Sequence, residues 1–139
     1  MKRFVSLLLL AILLIPVVPC AQAEEVAPRA SAFFHCYGTT LSNVGNGKFK
    51  IVFSATGTGI CNQIGVATYT VYKIHDDGHW ENVSGLINGS MGTNLTTYTF
   101  SHYFNGVPGE SYCVQVTFFC VINNASEARP YTSGIITAK

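Results

Sequence analysis

The sequence predicts an all-β fold, an antiparallel β-sandwich of about seven strands, on three observations. Short runs of β-branched and aromatic residues alternate apolar with polar positions. Clusters of Gly, Asn, Asp and Pro interrupt them roughly every 8 to 12 residues, and no stretch beyond residue 23 carries a helical period.

The elements follow in order. Residues 31–41 read as a first strand of mixed pattern, closed by a turn at 43–47 in which Asn46-Gly47 is the favoured type I′ hairpin pair. Residues 48–56 alternate cleanly, with Phe49, Ile51, Phe53 and Ala55 on the core side and Lys48 and Lys50 toward water. A glycine-bearing connection spans 57–63. It lacks the Gly-Lys-Ser/Thr of a phosphate loop and leads into a strand, so phosphate cradling is excluded. Residues 66–75 form the third strand, Tyr69 and Val71 on one face and Tyr72 and Ile74 on the other. Asp76-Asp77-Gly78 turns the chain into a short partner, 79–83, carrying Trp80. The Gly- and Asn-rich run 84–94 suits an edge or loop with weakly specified register. Residues 95–104 alternate again, with Tyr98, Phe100, His102 and Phe104 on one side, and 105–109 makes a corner. The strand after it carries Tyr112, Val114, Val116 and Phe118 inward. A polar loop covers 123–127, and a last strand, 129–137, takes an edge position because of Pro130.

Ahead of this domain, residues 1–23 have the layout of a secretory signal peptide. Lys2 and Arg3 open it, an uncharged run from Phe4 to Pro19 follows, and Ala21-Gln22-Ala23 supplies the cleavage site. Pro16 and Pro19 argue against a membrane-spanning helix in that run, and Pro19 directly before Cys20 argues against a lipidated cysteine. Removing 23 of 139 residues leaves 116, enough for one core and one domain at 31–139, behind a loose arm at 24–30. The chain has 8 basic and 7 acidic residues, and losing Lys2 and Arg3 leaves the remainder near neutral. No basic patch is available for nucleic acid or for an anionic membrane surface. The expectation is a protein outside the cell, secreted or at its surface, with no membrane association after cleavage.

Candidate chemistry is sparse. His75, Asp76, Asp77 and His79 form the densest group of metal-ligand types, but Asp-Asp-Gly is also what a hairpin turn requires, so no metal and no cofactor is expected. His35 and His102 fall in strands. Glu81, Glu110 and Glu127 fall at turns or strand ends, unlike paired carboxylates flanking a cleft, and no nucleophile elbow occurs. The four Asn-x-Ser/Thr matches, at Asn82, Asn88, Asn94 and Asn124, are read as chance in a chain rich in these residues. The aromatics offer more. The chain has 7 Tyr and 9 Phe, too many for one small core, so some tyrosines must reach the surface, where with Asn and Ser they make an adaptable binding face. Tyr72, Trp80 and Tyr103 are the candidates.

Two resemblances add to this reading. Val107-Pro108-Gly109 followed by Tyr112-x-Val114-x-Val116 resembles the corner segment of fibronectin type III and related immunoglobulin-like sandwiches, which implies that Tyr112 is the tyrosine-corner residue. More broadly, Asn46-Gly47-Lys48, Ala55-Thr56-Gly57-Thr58-Gly59, Ile64-Gly65, Trp80-x-x-Val83 and Pro108-Gly109-x-Ser111-Tyr112 resemble small exported proteins of Gram-positive, chiefly clostridial, bacteria that form a family of unknown function. That resemblance implies no activity.

Four cysteines remain after the signal, Cys36, Cys61, Cys113 and Cys120, and an even number in an exported chain suggests two disulfides with three possible pairings. Cys113 and Cys120 differ by an odd number of positions and cannot both face inward without a bulge. In an immunoglobulin-like sandwich the positions of Cys61 and Cys120 fall at one pole, which implies Cys61 to Cys120 and leaves Cys36 to Cys113. Each bridge would contribute about 4 kcal/mol on the chain-entropy account.

The functional expectation is an exported, non-catalytic binding or interaction module, not an enzyme, with a protein or glycan partner. The alternatives are a secreted effector such as a bacteriocin-like antagonist, and a small metal-dependent enzyme using the turn from His75 to His79.

Overall fold

A 27-residue strand dominates the structure, a computed structural model that describes residues 31–139. The expected signal peptide (1–23), the arm (24–30) and Cys20 lie outside the described residues. The strands are β1 (Phe34–Gly45), β2 (Lys48–Ile74), β3 (Trp80–Asn82), β4 (Ile87–Asn88), β5 (Met91–Asn105), β6 (Ser111–Ile122), β7 (Ala125–Thr132) and β8 (Ile136–Thr137). Every pairing among them is antiparallel, and the described residues contain no helix.

A straight strand of β2's length would reach about 90 Å, far beyond a domain of this size. It bends instead, where its register with β5 slips between Thr56 and Cys61. The first half of β2 pairs with β1 on one side and with the end of β5 on the other. The second half pairs with β6 on one side and with β3, β4 and the start of β5 on the other. β7 and β8 extend the sheet beyond β6. The connection expected at 57–63 is therefore not a loop. Thr58 stays anchored, its N–H donating to the Phe33 carbonyl at 2.9 Å and its hydroxyl to the Ala32 carbonyl at 2.9 Å.

The bend curls the sheet over a single core. Phe49, Ile51, Phe53 and Ala55 are all essentially buried, as their alternation predicts, and so are Ile64, Val66, Tyr69 and Val71 from the second half. Tyr112, Val114, Val116 and Phe118 of β6 close the same core. Aromatic rings bridge the two halves: Phe53 to Tyr69 at 4.8 Å, Phe49 to Tyr112 at 5.3 Å, and Tyr37 to Phe118 at 5.2 Å. Phe100 stacks on Phe53 at 4.7 Å. The Tyr69 hydroxyl and Nδ1 of His102 share a hydrogen bond at 2.5 Å, and burial raises the tyrosine above its ordinary pKa.

Local chemistry fixes the turns. Asn46 and Gly47 have φ of 55° and 80°, the paired left-handed conformation of a type I′ turn. A side chain at Gly47 would meet the Gly106 carbonyl oxygen at 2.2 Å, so the glycine also admits the neighbouring corner. In that corner the Val107 N–H donates to the Tyr112 hydroxyl at 2.8 Å, tying the strand back to the turn before it. Three boundaries differ from the sequence reading. β1 runs on to Gly45, because the turn needs only two residues. β5 begins at Met91, ahead of the expected 95, since its first residues pair with Cys61 to Gly65 of β2 beyond the bend. The expected loop at 123–127 shrinks to Asn123 and Asn124, both left-handed at φ 51° and 64°, so β7 starts at Ala125; the expected last strand is split at Ser133, whose N–H and hydroxyl bond Val114.

Phe53 touches both halves of the sheet, so Phe53→Ala should cost about 3–5 kcal/mol in urea unfolding. Thr96→Ala, on the exposed side of β5, should stay within about 0.5 kcal/mol.

Candidate functional site

Strand parity builds the candidate binding face. Because Tyr69 and Val71 point into the core, Thr68, Thr70 and Tyr72 of β2 point away from it, as do Cys113, Gln115 and Thr117 of β6. Register then sets these side chains in rows across the strands. Thr68 lies beside Thr117, which lies beside Pro130; Thr70 lies beside Gln115, which lies beside Thr132; Tyr72 lies beside Cys113. The rows floor an open depression of about 320 Å³, rimmed by Leu86 from the link between β3 and β4. No charged side chain lines it. Its lining side chains include threonine and tyrosine hydroxyls and the Gln115 amide, all able to donate and to accept.

Of the three expected aromatics, two come together. Trp80, opposite Ile74 on β3, packs against Tyr72 with ring centres 5.7 Å apart and remains 44% exposed. Tyr103 does not join them. It sits opposite Lys50 on β5, in the other half of the sheet, with the Lys48 ammonium 4.7 Å over its ring. Sequence reasoning missed Gln115, Thr117, Pro130 and Thr132. Alternation assigns them an outward direction, but only the pairing of β6 with β2 and β7 makes them one surface.

The His75 to His79 turn is organised differently from a metal centre. The two imidazoles stack in parallel, 4.0 Å apart and 7° from coplanar, so their in-plane lone pairs do not converge on one ion. Each ring is already engaged by a carboxylate, His75 Nε2 with Glu81 at 2.9 Å and His79 Nδ1 with Asp77 at 2.5 Å. Asp77 also accepts the His79 backbone N–H, which first of all holds its carboxyl below the usual range. Asp76 is exposed at the tip. Among the described residues no group of three or more such ligands is placed to hold a metal ion.

The cysteines separate into two environments. Cys61 and Cys120 are buried thiols at the bend of β2, their sulfurs 3.3 Å apart, with the Cys120 S–H donating to Cys61 and the Cys61 S–H to the Gly59 carbonyl. Gly57 is required beside them, since a Cβ there would lie 2.3 Å from the Cys61 sulfur. The expected Cys36 to Cys113 bridge is not formed. Cys113 is a free thiol on the face of β6 opposite Tyr112 and Val114, as odd spacing from the inward Cys120 dictates. Burial pushes the Cys113 thiol up to about 11. Burial, followed by the hydrogen bond to Cys61, pushes Cys120 up to about 12.

The raised values keep Cys113 and Cys120 protonated near neutrality, and the thiolate is the reacting species. Attack by the Cys120 thiolate of the folded, reduced protein on oxidised glutathione should therefore be slow at neutral pH and accelerate about tenfold per pH unit toward 12. Peptide mapping should then recover a Cys61 to Cys120 crosslink, and the oxidised form should melt higher than the Cys120→Ser variant. A raised thiol pKa stabilises the fold below the unfolded value of 9.0 and ceases to as pH climbs through the folded value, so the reduced protein should lose stability between about 9 and 12. Comparison of the chain with known protein families, with curated proteins and with solved structures finds no match.

Proposed function

We propose that this chain is an exported, non-catalytic binding module of immunoglobulin-like, fibronectin type III-like architecture. It acts outside the cell or at its surface and takes a protein or glycan partner on the outer face of β2, β6 and β7. The sandwich reading is supported by the division of pairings at the β2 bend, with β1, the first half of β2 and the end of β5 as one layer. The second half of β2 with β3, β4, β6 and β7 makes the other. The hydrogen bond between Val107 and Tyr112 supports it further. Export rests on the signal-like residues 1–23 and on the resemblance to small exported Gram-positive proteins.

One observation carries the binding role: an uncharged, hydroxyl- and amide-lined depression beside a partly exposed tryptophan. A concave site with a few convergent polar groups beside an aromatic ring is the usual form of a ligand-binding site. Four carboxylates are engaged elsewhere, and Asp76 lies exposed at the tip of the turn after β2. Glu81 engages His75, Asp77 engages His79, Glu110 engages Lys73 at 3.4 Å and Glu127 engages Arg129 at 2.5 Å. None of them lines the depression.

The test compares two surface variants for capture of partners from cell-envelope and culture-medium fractions. Gln115→Arg, in the depression, should lose what the wild-type protein retains, whereas Thr99→Arg, on exposed β5 in the other half of the sheet, should keep it. Equal capture by both variants, or a turnover activity in the purified protein, would overturn the proposal.

A further inference from the structure

We infer that the depression recognises a neutral oligosaccharide lying across the strands. This rests on the binding-module proposal and narrows it to one ligand class.

Four features of the face select that chemistry. The lining has no formal charge, so an acidic or basic ligand would give up hydration there without a countercharge. Thr68, Gln115, Thr117 and Thr132 present groups that donate and accept alike, which matches sugar hydroxyls, themselves both donors and acceptors. The paired rings of Tyr72 and Trp80 supply an apolar flank, and a pyranose offers a complementary apolar side where its axial C–H groups line up. The fourth feature is where the site lies. β6, the central strand of the floor, is paired on both sides, by β2 and by β7, so the only strand edge beside the floor is the outer edge of β7, and a ligand over Thr68 and Gln115 meets side chains and not an open edge.

Dimensions agree with a short oligosaccharide. The depression of about 320 Å³ is at the small end of the roughly 300–1,000 Å³ found for ligand sites, and suits a disaccharide-sized contact. Within a row, side chains on β2, β6 and β7 repeat at about 4.8 Å, the spacing of paired strands, which is close to the length of one pyranose unit.

The full-length purified protein reports on its own binding, because its 1 tryptophan is Trp80. Cellohexaose, laminarihexaose and N-acetylchitohexaose would be titrated while following Trp80 fluorescence and backbone amide shifts, with hexagalacturonate and a neutral threonine-rich peptide as comparison probes. At least one neutral sugar should give a saturable change and move the amides of Thr68, Gln115 and Thr117. Gln115→Ala, an exposed position that leaves the core intact, should weaken binding about tenfold. Tyr72→Phe should bind like wild type, and Tyr72→Ala should lose binding, each checked for an unchanged melting temperature. Raising the salt to half-molar should leave affinity within about twofold, as expected for an uncharged ligand.

If no neutral hexasaccharide binds, or if hexagalacturonate binds more tightly, the glycan assignment is wrong. Should the peptide alone perturb the same amides, the binding module stands without its sugar ligand. If the ligands that bind perturb only residues away from this face, both proposals fail.

Discussion

The backbone of β2 is shared by both halves of the sheet, and the rest of the molecule depends on how it bends. Each half of this strand needs two neighbours to satisfy its N–H and C=O groups. β1 and β5 supply them before the bend, and β6 with β3, β4 and the start of β5 supply them after it. Curling brings two apolar faces of one strand onto each other. Phe53 then meets Tyr69 only 16 positions further along the same strand. Gly57 and the Cys61–Cys120 pair occupy the bend itself, where a Cβ on Gly57 would collide with sulfur. The bend is thus fixed by close packing as well as by pairing.

Much of the fold could be read from local sequence. The alternation of 48–56 placed Phe49, Ile51, Phe53 and Ala55 correctly because the side-chain period of a strand is two and does not depend on its partners. Asn46-Gly47 and Asp76-Asp77-Gly78 marked their turns because only a few residue types adopt left-handed backbone cheaply. The length of β2 could not be read in this way. A glycine-rich stretch looks like a break when judged by propensity, but the bonds from Thr58 to Ala32 and Phe33 and the pairings of Cys61 and Gln63 with β5 keep it extended. Asn123-Asn124 was obscured for a similar reason: two asparagines in a polar run do not announce whether the turn takes two residues or five.

The candidate site was less legible than the fold. Thr68, Gln115 and Thr132 stand in adjoining rows on β2, β6 and β7, yet they come from three separate parts of the chain. Their direction follows from parity, but their adjacency follows from register, which one strand alone does not encode. Tyr103 shows the opposite error. Its exposure was correctly anticipated, at 48%, but exposure does not say which half of a sheet a residue belongs to. Cys113 is instructive in the same way, since its odd spacing from Cys120 already forbade a shared face. Of the charged pairs, by contrast, those of Glu81, Asp77 and Glu127 are local and that of Lys73 with Glu110 lies at strand ends, away from the depression. That leaves the face of β6 to neutral side chains.

The sharing of β2 also governs when the molecule becomes whole. Ile64 pairs with Cys120, 56 residues later, while Phe53 pairs with Phe100. Closing loops of this size carries an entropic cost before any contact is gained, and chains dominated by such distant pairings fold in about milliseconds to seconds. In a chain that emerges from its N-terminal end, β2 is complete yet waits unpaired along one side of its second half until β6 follows. The order of synthesis therefore makes β6 the latch of the fold: its arrival completes the core, brings the two thiols together and creates the outer face in a single event.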